Sequence, residues 1–451
     1  MKTHFLILFC LLSFTAFLWG QNYEAFWIGH FSYLNINKVV DADDKFYAAS
    51  ENALFSYDLQ TNQLSTITTI NGLSGELIST LHYSNEYQLL LIGYENGLIE
   101  VYTESDQEIL KVVDIINKVT IPSSQKKINH FNEFNSLVYI ATDYGISVYD
   151  LESLEFGDTY YIGDGGAQIS VSQTAILSNE IFAACSSNSG IKNASLSNLN
   201  LIDFQSWNSL AGENFKAITV FDMTLYAVNS DNKIFEINGA NFIPLFDYPQ
   251  DVAELNASNN SLLVTTNSKV YQYEPGFTLT DVYSTTPEFE TSFAAALKID
   301  EVVYIGTTDY GVLKSNSLGS SDYDEIHPIG PLKNEAFSLS HGYGNLWVSY
   351  GDYSIFFNPS PNKSYGISNY VDENWVNTTY DSIQQTTART VLNLNTISIN
   401  PLSPNQVFIS SFANGLLDFK KEESITLLDD SNSSLESLVL PGSPNFKSIR
   451  I

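Results

Sequence analysis

The sequence predicts an all-β protein: a seven-bladed β-propeller followed by the start of a second, incomplete β-propeller. Three observations carry that expectation. A short strand-turn-strand pattern returns nine times along 451 residues, starting at Tyr47, Leu91, Tyr139, Phe182, Tyr226, Leu263, Tyr304, Trp347 and Phe408. The first eight starts lie 37 to 48 residues apart, which is the repeat length of a four-stranded propeller blade. Composition suits pleated sheets: 27 Tyr and 28 Phe stand among short runs of Val, Ile and Thr, and only 16% of residues are charged.

The N-terminus reads as a signal peptide over 1–20. Lys2 precedes an apolar run from Phe5 to Leu18 that ends near Gly20, too short for a membrane span. Cys10 sits mid-run behind bulky Phe9, which does not suit lipidation. Once the peptide is removed, Cys185 is the only thiol, so the exported chain has no internal disulfide.

The first propeller is expected over 21–325. Each copy is an apolar strand, a polar turn and a second strand with period-two alternation, as in YIATDYGISVYDL from Tyr139 and YIGTTDYGVLKS from Tyr304. The turn needs a residue tolerant of positive φ, and Gly97, Gly145, Gly190, Gly311 and Gly415 stand in that place. Asp143 and Asp309 are expected to hydrogen-bond back to the turn backbone. Ala53, Lys233, Lys269 and Ser354 hold the position in the other copies. The flanks, such as Ile70 to Gln88 and Ile329 to Asn345, supply the remaining strands of each blade.

Seven copies between Tyr47 and Leu313 close one ring. Gly319 to Pro331, rich in Gly, Ser and Pro, reads as a junction, and a partial second propeller is expected over 326–451. The ninth copy begins 61 residues after the eighth, with Trp375 and the polar run SIQQTTAR between them. PNFKSIRI, Pro444 to Ile451, reads as a strand cut short, so the chain is expected to be truncated.

Charge excludes one large class of function. With 51 Asp and Glu against 20 Lys and Arg, the net charge of −31 repels nucleic acid. Arg389 and Arg450 are the only arginines, and the adjacent pairs Lys126-Lys127 and Lys420-Lys421 read as solvated loop residues. Six histidines, His4, His30, His82, His130, His327 and His341, show neither HxH nor HExxH spacing. Their sequence leaves a metal site undecided. His82 and His341 end equivalent strands, which favours a structural role.

Cys185 reads as a small core residue and Gly163 to Gly166 as a blade-edge turn. Asp41, Asp43 and Asp44, and Asp429 with Asp430, lack the glycine and distal glutamate of an EF-hand and read as solvated turns. No sialidase box or WD series is present. No catalytic residue and no cofactor are expected.

The segments NGLSGELISTLHY (Asn71 to Tyr83), LLLIGYENGLIEVY (Leu89 to Tyr102), HFNEFNSLVYIATDYGISVYDLESLEFGDTYYIG (His130 to Gly163) and YIGTTDYGVLKS (Tyr304 to Ser315) resemble the N-terminal propeller of the PorZ family of type IX secretion system components. The resemblance implies an exported protein of the cell surface and outer membrane, built from two seven-bladed propellers and a sorting sandwich. It also implies a non-enzymatic place in an attachment complex with the sortase PorU, PorV and PorQ, supplying anionic lipopolysaccharide for attachment to cargo. Two other readings compete. One is the periplasmic sensor propeller of a hybrid two-component receptor, which carries related repeats. The other is a polysaccharide lyase or hydrolase, disfavoured by the shortage of His and Arg.

Overall fold

The computed structural model describes residues 28–450 apart from 187–188, 259, 413, 421–423 and 440–446. The expected signal peptide over 1–20, with His4 and Cys10, and Lys421 lie outside the described residues. Nine four-stranded antiparallel sheets follow one another, each a meander of four consecutive strands, and a two-stranded sheet of Glu436–Val439 and Lys447–Arg450 comes last. In eight of the nine repeat copies the quoted residues span the second strand of a sheet and its turn into the third. In the third sheet, for example, Leu137–Thr142 turns directly into Gly145–Asp150, with Thr142 opposite Gly145.

The apolar runs are placed by burial on both sides. Every residue of Leu89–Tyr94 and of Ser261–Thr266 is buried, because these second strands lie between neighbouring sheets. The fourth strands, such as Leu64–Ile67 and Glu108–Val112, form the outer rim and leave most of their residues to solvent.

Seven hydrophobic clusters, one per junction, join sheets one to seven into a closed ring. Leu81 and Ile92 of the second sheet pack on Tyr47 and Leu54 of the first, and Ile128 and Ile140 of the third pack on Leu91 and Val101 of the second. The series runs on until Phe46, Phe55 and Tyr57 of the first sheet meet Leu297, Tyr304 and Val312 of the seventh. No strand is shared between the first and last sheets, so side-chain packing, not a common hydrogen-bonded sheet, closes this ring.

A short segment before the first strand reinforces the closure. Ile36 N–H donates to Thr307 O (2.7 Å) and Gly311 N–H to Leu34 O (2.8 Å). The same segment reaches the eighth sheet: Ser32 Oγ donates to Leu332 O (2.9 Å), and Trp375 Nε1 donates to His30 Nδ1 (3.2 Å). Gly330 permits the approach, since a Cβ there would stand 2.0 Å from Phe31 O. The eighth and ninth sheets share their own core, in which Trp347 and Ile367 meet Leu394, Ile409 and Leu417.

Two local expectations are corrected, and one segment left unread is assigned. In the eighth copy, SIFF is not the third strand. Ile355, Phe356 and Phe357 are 88%, 84% and 69% exposed in a loop broken by Pro359 and Pro361, and the third strand is Ile367–Val371. The polar run after Trp375 is helical over Tyr380–Thr387, capped by Thr379, whose side chain accepts from Ser382 N–H. Within the expected junction, Tyr323–Ile326 is the outer strand of the seventh sheet, so the passage to the eighth lies after Ile326.

Candidate functional site

The first strand of each ring sheet borders the axis, and its free edge has no strand partner, so polar side chains there must supply the missing bonds. They do so by reaching to the next sheet. Asn37 Nδ2 donates to Ile78 O (2.6 Å), Asn129 Nδ2 to Val171 O (2.9 Å), Ser172 Oγ to Phe215 O (3.3 Å) and Asn256 Nδ2 to Ala296 O (3.1 Å). Asn232 Oδ1 accepts from Val252 N–H (3.0 Å). The result is a belt of cross-links around the axial mouth.

Inside the belt is a polar cavity of about 320 Å³ to which all seven sheets contribute, through residues such as Lys38, Thr80, His130, Gln173, Lys216, Glu254 and Ala294. Both lysines are neutralised. Lys38 pairs with Glu254, whose other oxygen accepts from Ala296 N–H (2.8 Å), and Lys216 pairs with Asp251 (2.7 Å). The mouth therefore offers little free positive charge to an anion.

Further along the axis, His82 Nε2 lies 2.7 Å from Glu133 Oε2, and Ser84 Oγ donates to Glu133 Oε1 (2.9 Å). Serine, histidine and a carboxylate are all present, but serine and histidine both bond the carboxylate. Ser84 is thus not held by a base that could activate it. The trio joins the second sheet to the third. Among the described residues, no group of three or more His, Cys, Asp or Glu is arranged to hold a metal ion.

His130 departs from the satisfied belt, as Ser79 at the same cavity does: its Nδ1 is buried without a hydrogen-bond partner. Burial, then the charges of Lys38 and His82, hold its pKa well below the usual histidine value. The folded state keeps it neutral, whereas the unfolded chain takes up a proton below about pH 6.5. Stability from this residue is therefore whole above that pH and is lost as pH falls, at up to about 1.4 kcal/mol per pH unit. Replacing His130 with Asn should flatten the acid limb of stability between about pH 6.5 and 5 relative to the unmodified chain. Denaturant titrations across that range check it.

Of the turn residues, Gly97, Gly145, Gly190, Gly311 and Gly415 have φ of 89°, 145°, 67°, 65° and 125°. They lie in five different sheets and do not converge on one site. In the fifth sheet Asn232 (φ 64°) does the same work before Lys233. The aspartates act differently from expectation. Asp143 accepts from Asn129 Nδ2 and Ser170 Oγ, both at 2.9 Å, and so ties the third sheet to the entry of the fourth at the axial mouth. Asp309 accepts from Thr308 Oγ1 (2.6 Å) and Thr291 Oγ1 (3.2 Å) and pairs with Lys333 (3.5 Å). Removing the Asp143 carboxylate by alanine should cost about 1–3 kcal/mol, read as a lowered denaturant midpoint.

The turns themselves are bonded by a residue the sequence reading passed over, the last of the second strand. Thr142 Oγ1 donates to Gly145 O (2.9 Å) and accepts from Tyr144 N–H, and Thr307 does the same with Gly311 and Tyr310. Ser50, Thr266 and Asn229 occupy equivalent places. The signal is a Ser, Thr or Asn as the fourth residue of six of the nine copies: Ser50, Thr142, Asn229, Thr266, Thr307 and Ser411. In the fourth sheet that place belongs to Cys185, fully buried, with its thiol pushed up to about 12 by burial, which makes it a packing residue.

Lys126 is also corrected: it is buried and its Nζ donates to Ile116 O (2.5 Å), while Lys127 pairs with Glu95 (3.0 Å). Asp429 is paired with Arg389 and not merely solvated.

Residues 46–208 match the family model described as TSS9, PorZ, N-terminal beta-propeller domain. This stretch resembles the PorZ N-terminal propeller domain. It spans the first sheet from Phe46 through to Asn208 in the fourth. Among solved structures, PorZ of Porphyromonas gingivalis, described as an essential bacterial surface component of the type IX secretion system, superposes with a TM-score of 0.77 at 17% identity. The match covers 91% of this chain and 54% of that one, so the chain spans about half the length of that PorZ. The extracellular domain of a hybrid two component system from B. thetaiotaomicron gives a TM-score of 0.49 at 10% identity, covering 90% and 55% of the two chains. The WD40 propeller of Doa1 gives 0.49 at 14%, covering 64% and 95%. No curated protein matches significantly. Among the described residues, no helix is long and apolar enough to cross a membrane.

Proposed function

We propose that the chain is a non-enzymatic surface component of the type IX secretion system. In this reading it is exported by a signal peptide over 1–20. Residues 21–325 form its first propeller and 326–451 the beginning of a second. It serves as a scaffold in the outer-membrane attachment complex with the sortase PorU, PorV and PorQ, where it supports attachment of cargo to anionic lipopolysaccharide.

The observation that carries the reading is the PorZ family match over residues 46–208. A scaffold role is supported by the axial mouth, where the polar groups bind one another across sheet junctions in preference to facing a substrate. The neutralised lysines of the mouth argue that any contact with an anionic glycolipid is made elsewhere. Affinity purification of the full-length protein from outer-membrane extracts should recover the sortase together with PorV and PorQ. Recovery of none of them contradicts the scaffold reading.

A further inference from the structure

A second cavity, of about 340 Å³, opens between the fourth and fifth sheets. Its walls are apolar, with Leu177, Phe182, Leu210, Leu225 and Ile237 among them. Its charged groups are of one sign, and Ser178, Thr224 and Asn238 add neutral polar groups. Glu180 and Glu236 bring carboxylates, and Asn193 brings a carboxamide. No lysine or arginine lines it.

The orientation of Asn193 is informative. The residue is 9% exposed, and its Nδ2 donates to Glu180 Oε2 (3.1 Å), which leaves Oδ1 buried with no hydrogen-bond partner. Turning the amide over would lose the bond to Glu180, so the carbonyl oxygen is held free. A buried acceptor without a donor is disfavoured unless something supplies one. The carboxylate of Glu236 is in no hydrogen bond or ion pair among the described residues, so the site also has uncompensated negative charge. The rim is set by two tight hairpins, with Ser178 and Asn179 in one and Asp222 and Met223 in the other, all at positive φ.

We infer that this cavity is a binding site for an alkylammonium group, the side-chain chemistry of lysine. An ammonium carries three donors and no acceptor, which suits two carboxylates and one free carbonyl oxygen. Its methylene stem suits the apolar walls. The net charge of −31 favours the approach of a cation from any direction, so specificity must come from the cavity. The inference does not depend on the secretion reading.

The test uses the full chain and two probes, Nα-acetyl-lysine N-methylamide and the norleucine analogue that keeps the stem and lacks the ammonium. Calorimetry or NMR titration should show saturable binding of the lysine probe and at least tenfold weaker binding of the norleucine one. Glu236→Gln should weaken the lysine probe about tenfold. Glu274→Gln, which removes an exposed charge elsewhere, should leave it unchanged. Glu180→Gln serves as a second variant if Glu236→Gln folds poorly.

A peptide with a central lysine separates the sources. Tighter binding than the free probe points to a lysine on a protein partner, and equal binding points to a small amine. Absence of saturation by about 10 mM overturns the inference, as does equal binding of the two probes or an equal effect of Glu236→Gln and Glu274→Gln.

Discussion

Replacing Phe46 with alanine should destabilise the first propeller by about 3–5 kcal/mol, the cost of emptying a large aromatic site in a packed core. Phe46 is fully buried at the point where the ring closes. Its ring lies 4.9 Å from that of Tyr304 in the seventh sheet and 5.3 Å from that of Tyr57 in its own. Because the first and seventh sheets share no strand, the lost contacts cannot be made up by a common hydrogen-bonded ladder. Denaturant midpoints give the loss, and hydrogen exchange gives its location. Protection should fall most along Lys38–Ala42 and Phe293–Ile299, the strands that border the junction. Leu199→Ala, at a fully exposed position, should stay within about 0.5 kcal/mol of the unmodified chain.

A comparable loss, above about 3 kcal/mol, is expected for Gly190→Ala. Two effects add there. The backbone is left-handed at φ 67°, and an added Cβ would stand 1.5 Å from Ala211 O on the neighbouring strand. Backbone oxygen cannot move aside as a side chain can, so the hairpin would have to separate from the fourth strand. Gly165→Ala isolates the first effect, since its φ is 71° and nothing lies within 4 Å of the added carbon. That substitution should cost only about 1–2 kcal/mol, the usual strain of a left-handed alanine. A ratio near one between the two losses would mean that conformation alone demands glycine at the turns.

The repeat was legible because a propeller writes its period into local pattern. A second strand buried on both faces must be apolar, and the turn after it must admit positive φ, so LLLIGYENG and YIATDYG betray their place without tertiary information. Partnership across sheets leaves no such mark. Asp143 looked like a turn residue because it sits in the turn, yet its carboxylate serves Asn129 and Ser170 at the junction with the next sheet. Lys126 looked solvated because it stands beside Lys127, and only the fold brings Ile116 O to its ammonium.

The eighth sheet shows the opposite failure. SIFF copies the pattern of a third strand, but the pairing is taken by Ile367–Val371, twelve residues on, where Gly366 allows the approach to Thr378 O. Local pattern cannot tell an exposed apolar tip from a buried strand. The alkylammonium cavity was equally out of reach, since Glu180, Asn193 and Glu236 come from three strands in two sheets and carry no spacing that a sequence reading could use.

The secretion reading stands or falls on the fate of cargo in the cell. Deleting the gene and following proteins that carry the type IX sorting domain tests it most directly. The account predicts that such cargo is no longer matured and held at the cell surface, and that the intact gene restores both. Cargo that still matures and remains attached in the deletion strain would contradict it.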